Sequence, residues 1–257
     1  MISLELARYR SASQRARVFS ESWIEANFDC PKCFGSLERT PNNTSAKDFV
    51  CSPCGYGFEL KSKQGLFGNQ VVDGAYQTML ASIRSDARPH LLLLSYTTDY
   101  QVRDVTAVPR QFLIEEIVIP RKPLGQHCRR AGWQGCNLNI GMLPLDGRIK
   151  FVSNFRNAPR EIVSAAWKQA EFLDNYKAAK RSWIAVTMAL VRQLNKRSFT
   201  LGELYELEGE ARKAFPNNAH VKEKLRQQLQ HLRDRGWLHF ESKGNYRLSD
   251  ATLRVTD

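Results

Sequence analysis

Two Cys-x-x-Cys units, Cys30-Pro-Lys-Cys33 and Cys51-Ser-Pro-Cys54, stand seventeen residues apart. That spacing constrains the chain more than any other feature, because C-x2-C-x15–20-C-x2-C is a zinc-site pattern. Four thiolates at tetrahedral geometry leave the ion no open position, so Cys30, Cys33, Cys51 and Cys54 are candidate ligands of a structural site. In a reducing compartment such paired units suggest metal rather than disulfides. Four buried free thiols are the bland alternative, and they leave the two x2 spacings without a reason.

A second chemistry is threaded through the same residues. The stretch Asp48-Phe-Val-Cys51-Ser-Pro-Cys54-Gly-Tyr-Gly-Phe-Glu59-Leu-Lys61 reads as two short strands, 47–51 and 56–63, joined at the second cysteine pair. Side chains alternate along a strand, so Glu59, Lys61 and Lys63 share one face, and Asp48 meets Glu59 across the pair. Two carboxylates at one point repel each other and favour a divalent cation. Magnesium suits them, because it takes oxygen ligands and keeps several waters. Lys61 is placed to orient a water or to stabilise an attacked phosphate. Asp48, Glu59 and Lys61 are therefore the candidate catalytic set of a metal-dependent nuclease. The competing reading is a solvated, salt-bridging strand face. A metal clamp at the turn would fix the hairpin register and hence the carboxylate separation.

With 257 residues, 42% of them hydrophobic, the chain can bury a normal core in one large or two small domains. Its formal charge of +12 attracts polyanions. Residues 1–10 lack a secretory pattern, and the longest aliphatic run, 91–94, is far too short to span a bilayer. The expectation is a cytoplasmic, monomeric protein with no membrane partner. Asn42-Asn43-Thr44 fits a glycosylation sequon, which in such a protein is chance.

Periodicity and turn residues predict helix over 3–27, loop over 34–46 and helix over 73–85 with Asp73 as its N-cap. They predict strands over 89–97, 102–108 and 148–152, an irregular Gly- and Pro-rich segment over 120–147, and helix over 159–175. A linker is placed at 176–182. Helical patterns at 183–194, 200–215 and 219–235 then precede strands at 237–240 and 246–248 around Ser242-Lys-Gly-Asn245. Three helices and a hairpin is the winged-helix order. The expected fold is α/β, with a catalytic domain at 1–180 and a winged-helix DNA-binding domain at 181–257.

These residues resemble the DpnI-like family of methyl-directed restriction endonucleases. The likeness runs nearly end to end. It is carried by Ser13-Gln-Arg-Ala-Arg17, Cys30-Pro-Lys-Cys33, Asp48-Phe, Phe58-Glu-Leu-Lys-Ser-Lys63, Asp73-Gly-Ala-Tyr76, Arg121-Lys-Pro-Leu124, Arg129-Arg-Ala-Gly-Trp-Gln-Gly-Cys-Asn137, Lys222-Glu-Lys-Leu-Arg-Gln-Gln-Leu-Gln230 and Gly244-Asn-Tyr-Arg247. The resemblance implies a PD-(D/E)xK nuclease domain with structural zinc, followed by a winged helix. It implies magnesium-dependent double-strand cleavage of GATC carrying N6-methyladenine, read by both domains. Asp48, Glu59 and Lys61 fall on the family's catalytic positions, and the four cysteines on its zinc positions. Lys47, not proline, precedes Asp48, at a loosely defined position. Cys128 is an extra thiol.

Within that reading, Arg129 and Arg130 can reach phosphate or guanine. Trp133, between Gly132 and Gly135, offers an aromatic face for a methyl contact or a wedge; a core tryptophan anchoring a long loop is the alternative. The candidate recognition helix at 219–235 turns Val221, Leu225, Leu229 and Leu232 inward and offers Lys222, Lys224, Arg226, Gln227, Gln230 and Arg233 outward. Glutamine suits adenine, whose N7 and one N6 hydrogen survive methylation. Lys243 on the hairpin turn is a candidate phosphate contact. A solvated helix face is the competing reading. His127, His220, His231 and His239 are surface or packing residues, and Tyr76 either packs under the site or approaches DNA. Two other functions remain open from sequence: a non-catalytic DNA-binding regulator with structural zinc, and an RNA-processing nuclease.

Overall fold

The computed structural model describes residues 8–41, 47–250 and Thr252. They pack as two compact units: the first comprises residues 8–41, 47–67, 88–110 and 149–168, and the second residues 68–87, 111–148, 169–250 and Thr252. No described helix is long and apolar enough to cross a membrane.

The first unit is built on a seven-stranded sheet. Its strands are β1 (Leu37–Arg39), β2 (Phe49–Cys51), β3 (Gly57–Gln64), β5 (His90–Tyr96), β6 (Val102–Val108), β9 (Ile149–Ser153) and β10 (Arg156–Asn157), in that spatial order. Only β3 and β5 run parallel, with Phe58 opposite His90; the other neighbours are antiparallel. Every residue of β5 is buried, as a run of apolar side chains covered on both faces must be. Helix α1 (Ala12–Asn27) packs Phe19 and Ile24 into the core, where the Phe19 ring meets those of Tyr96 and Tyr100 edge-on. This helix is shorter than the 3–27 expected. Residues 3–7 lie outside the described residues, and Ser11 is extended at the N-cap. The expected loop at 34–46 contains β1, which pairs with β2; the sequon at 42–44 lies outside the described residues.

The second unit carries a sheet of β4 (Gln70–Ala75), β8 (Gly135–Asn139) and β7 (Val118–Pro120), with β8 in the middle. The segment expected to be irregular therefore supplies a central strand. Its Gly and Pro density masked an alternation in which Cys136 and Leu138 are fully buried between half-exposed asparagines. Asp73 is not a helix cap. It lies buried in β4, and its carboxylate accepts the Gly74 N–H at 2.6 Å. Helix α2 (Tyr76–Arg84) begins three residues later, and its first N–H is satisfied by the Gln134 carbonyl of the adjoining chain at 3.0 Å.

After helix α3 (Arg160–Glu171) and a 3-10 turn at Phe172–Asn175, helix α4 runs over Ala178–Gln193, so the expected linker is helical from Ala178 onward. Strand β11 (Ser198–Thr200) precedes α5 (Leu201–Glu206) and α6 (Glu208–Ala214), which break at Leu207 where one helix was expected. Thr200 and Glu203 form a reciprocal capping box at the start of α5. Helix α7 (Val221–Asp234) turns Val221, Leu225, Leu229 and Leu232 inward. Strands β12 (Leu238–Ser242) and β13 (Asn245–Leu248) form the hairpin, with β13 central in the order β11-β13-β12. Gly244, at φ 79°, supplies the left-handed turn residue.

Candidate active site and metal centre

The four cysteines converge. Cys30, Cys33, Cys51 and Cys54 bring their sulfurs within 4.8 Å of one another, the single such group of potential ligands among the described residues. Two separations, Cys30 to Cys54 at 3.6 Å and Cys33 to Cys51 at 3.4 Å, sit close to the edge of a tetrahedron with ~2.3 Å metal–sulfur bonds, about 3.8 Å. The donor set therefore fits zinc. The two loops are near copies in backbone bonding. Phe34 N–H donates to Cys30 O and Cys30 N–H to Gly35 O; Gly55 N–H donates to Cys51 O and Cys51 N–H to Tyr56 O. Phe34 and Gly55 take matching left-handed φ values of 59° and 73°. Burial pushes the Cys30 thiol far up and Cys51 up to about 11, so a metal would displace protons on binding.

The second loop forms the turn between β2 and β3. The paired residues Phe49–Phe58 and Val50–Gly57 define the register, and continuing it by one residue sets Asp48 opposite Glu59. Asp48 N–H donates to Phe58 O at 2.9 Å, and one Asp48 carboxylate oxygen accepts the Leu60 N–H at 2.7 Å. That bond fixes the Asp48 side chain against the β3 backbone. Lys61 Nζ forms an ion pair with Glu59 Oε1 at 2.7 Å, a contact open to i, i+2 neighbours because they share one strand face. Two carboxylates with a lysine beside them offer the hard oxygen donors that a magnesium ion takes.

Three further residues pack around β3 and have no sequence motif, the two arginines on the side of the carboxylates and Ser20 on the opposite face. Arg88, 6% exposed, places Nη2 3.3 Å from Glu59 Oε2. Arg17 on α1 bonds to Glu21 at 2.6 Å; that carboxylate raises its pKa, and Asp48 adds to the rise. Ser20 Oγ lies 3.1 Å from Ser62 Oγ, tying α1 to β3. None of the three stands at a fixed offset from Glu59, so spacing could not have found them. An arginine directly before Pro89 and an apolar strand was the only available hint.

Residues 2–176 match the model of the Dam-replacing family, DpnI, and residues 179–248 that of the Dam-replacing HTH domain. The chain belongs to the DpnI family. Membership supports a methylation-dependent restriction endonuclease, and it makes the C-terminal helices and hairpin a helix-turn-helix domain that suggests DNA binding. The α/β architecture, the HTH domain and the four-cysteine group agree with the fold expected from sequence.

The remaining candidates of this DpnI-family chain lie in the second unit. Residues 121–132 are exposed without exception, and Arg129 and Arg130 sit among them. The segment continues the β7–β8 ladder outward as an arm: Arg121 N–H donates to Gly135 O, Leu124 N–H to Trp133 O and Gly132 N–H to Leu124 O, each at 2.9 Å. Trp133 is half-buried at the base of that arm. The Arg130 guanidinium lies 4.8 Å from its ring centre, and its ring edge is so close to Gly135 that a Cβ there would meet it at 3.0 Å. On α7, Lys222, Arg226, Gln227 and Gln230 are exposed and Lys224 is half-buried. Lys222 pairs with Glu208 at 3.3 Å, and Lys224 Nζ stands 3.4 Å from Gln227 Oε1. Lys243 is exposed on the hairpin turn.

Proposed function

We propose that this protein is a magnesium-dependent endonuclease that cuts both strands of GATC when its adenines carry N6-methyl groups. Family membership supports the class. The geometry that carries the chemistry is Asp48 set opposite Glu59, with Lys61 Nζ 2.7 Å from the Glu59 carboxylate. Asp48 and Glu59 would hold the magnesium, which supplies Lewis acidity toward the phosphate and neutralises the charge that builds on it. Asp48 contributes a carboxylate whose direction the Leu60 N–H has already set. Lys61, 25% exposed, would turn from Glu59 toward a phosphate oxygen, where its ammonium stabilises developing negative charge. Zinc held by the four cysteines keeps β2 and β3 in register and has no part in the reaction.

Recognition is the harder physical problem. Burying one methyl group is worth about 0.8 kcal/mol, less than a tenfold preference. A good base contact adds about 1–3 kcal/mol. Strict dependence on methylation therefore needs several contacts in concert. The palindrome offers two methyl groups, and the protein offers two reading elements: the arm with Arg129, Arg130 and Trp133 within domain 1–180, and α7 with Lys222, Lys224, Arg226, Gln227 and Gln230, helped by Lys243, within domain 181–257. The protein would act as a monomer in the cytoplasm.

The deciding experiment incubates the protein with magnesium and plasmid from adenine-methylating and non-methylating hosts. Cutting confined to the methylated plasmid, and lost in Glu59→Gln, is the expected result. Binding without cutting would favour a regulator, and methylation-indifferent RNA hydrolysis an RNA nuclease.

A further inference from the structure

Glu59 is only 12% exposed, yet each of its oxygens faces a cation: Lys61 at Oε1 and Arg88 at Oε2. We infer that Arg88 is a positioning residue that holds Oε2 and stands in for the catalytic cation's charge, so that a divalent ion loads together with the DNA phosphate rather than before it. The inference rests on reading Asp48, Glu59 and Lys61 as the catalytic set.

The two cations are not equivalent. Lys61 is a quarter exposed at the end of a flexible chain, and its ammonium can leave Oε1 for a phosphate. Arg88 is 6% exposed, always charged and shaped as a rigid fork. Oε1 is thus the oxygen that can be released to a metal, and Oε2 the one that faces the buried guanidinium as an ion pair without a hydrogen bond. Charge points the same way. Asp48 and Glu59 carry two negative charges, and Lys61 and Arg88 two positive. Arg17, which also feels Asp48, bonds to Glu21 at 2.6 Å; Glu21 also faces Arg39 at 3.7 Å, while Arg39 meets Glu25 at 2.8 Å. A dication approaching this balanced group gains little from it. A scissile phosphate adds negative charge and draws Lys61 away, and both changes favour the ion. The site then stays without its metal until substrate is present.

The test uses the zinc-loaded full chain without DNA, with Mn2+ as the binding probe and Ca2+, a hard cation with no preference for the thiolates, in thermal unfolding. In Arg88→Met the expected result is Mn2+ affinity at least about tenfold tighter than wild type, since a like charge has been removed beside the ion. Its melting temperature should be lowered and then raised by Ca2+ more than that of wild type. Cleavage of methylated plasmid at saturating Mg2+ should fall by at least about tenfold, since Oε2 has lost its anchor. Arg88→Lys, which keeps the charge and loses the fork, should retain the weak DNA-free Mn2+ binding of wild type and still cut slowly. Unchanged or weaker Mn2+ binding in Arg88→Met, or tightened binding in Arg88→Lys, would overturn the inference. A Glu59→Gln protein that cuts like wild type refutes the parent reading instead. Glu59→Gln inactive beside Arg88→Met with unaltered Mn2+ affinity refutes the Arg88 role alone.

Discussion

His90 shows how one buried side chain writes pH into stability. Its ring is packed against Tyr56, Phe58 and Trp167, with centroids 4.6, 5.2 and 4.7 Å away, and its Nδ1 accepts the Arg110 N–H at 3.1 Å. Burial first, then the charges of Arg110 and Lys32, lower its pKa to about 3. The unfolded chain takes up this proton near pH 6.5 and the folded one does not, so the stability His90 allows is complete above pH 6.5. It is lost as pH falls from there toward 3, at up to about 1.4 kcal/mol per pH unit. Denaturant titrations across that window should show His90→Leu with a shallower acid slope than wild type. At pH 7 the same variant should be about 1–3 kcal/mol less stable, because the Arg110 N–H is left without its acceptor. Trp133 gives the opposite kind of prediction. Half-buried under Arg130 and outside the apolar core, it can be removed without collapse. Trp133→Ala should unfold at nearly the wild-type temperature while methylated-site binding, followed by fluorescence anisotropy, weakens by about tenfold or more; a large loss of stability would return Trp133 to the role of a core anchor.

At the scale of elements, the paired cysteine loops are the device that makes a short hairpin dependable. Strand β2 has three residues and pairs with β3 over two of them, too few to hold a register by themselves. A clamp at its turn removes the freedom to slip, and a one-residue slip would turn every β3 side chain to the opposite face. Removing zinc with a chelator should therefore abolish cleavage even with magnesium restored, and should lower the melting temperature. Full activity in zinc-free protein, verified by metal analysis, would separate the clamp from the catalytic geometry. The loops also depend on Gly35, where an added Cβ would fall 2.5 Å from the Pro53 ring. Gly35→Ala should reproduce much of the loss seen on chelation.

Across the whole molecule, the second unit joins residues that sequence assigned to different domains. Asp146 is buried and accepts Trp237 Nε1 at 2.9 Å, Arg192 Nη2 at 2.8 Å and Arg192 Nε at 2.9 Å. Arg192 also donates to Thr252 O at 3.0 Å. Asp146→Ala leaves the buried guanidinium uncompensated, which costs about 3–5 kcal/mol, and calorimetry should register a drop of several degrees or more. A truncation that removes 182–257 is a poor test of DNA reading for the same reason. It would cut α4 in its second turn and strip Ile184, Met188 and Val191 from the core of this unit. Substitutions on the exposed face of α7, such as Gln230→Ala, address recognition without that damage.

What the sequence determined by itself were features set by short-range geometry. The cysteine spacing brought four sulfurs together, strand alternation put Glu59 and Lys61 on one face, and the apolar run after Pro89 became the buried strand β5. The helical period of Val221, Leu225, Leu229 and Leu232 marked the inner face of α7. Tertiary structure decided what depends on neighbours from distant parts of the chain. Strand β8 took shape inside a Gly- and Pro-rich stretch because β4 and β7 were there to pair with it. Asp73 went to a strand instead of a helix cap because the Gln134 carbonyl already served the first N–H of α2. Arg88 reached Glu59 across twenty-nine residues because β3 and β5 run parallel. Local propensity and spacing act over a few residues, whereas a buried charge finds its partner only once the sheet has assembled.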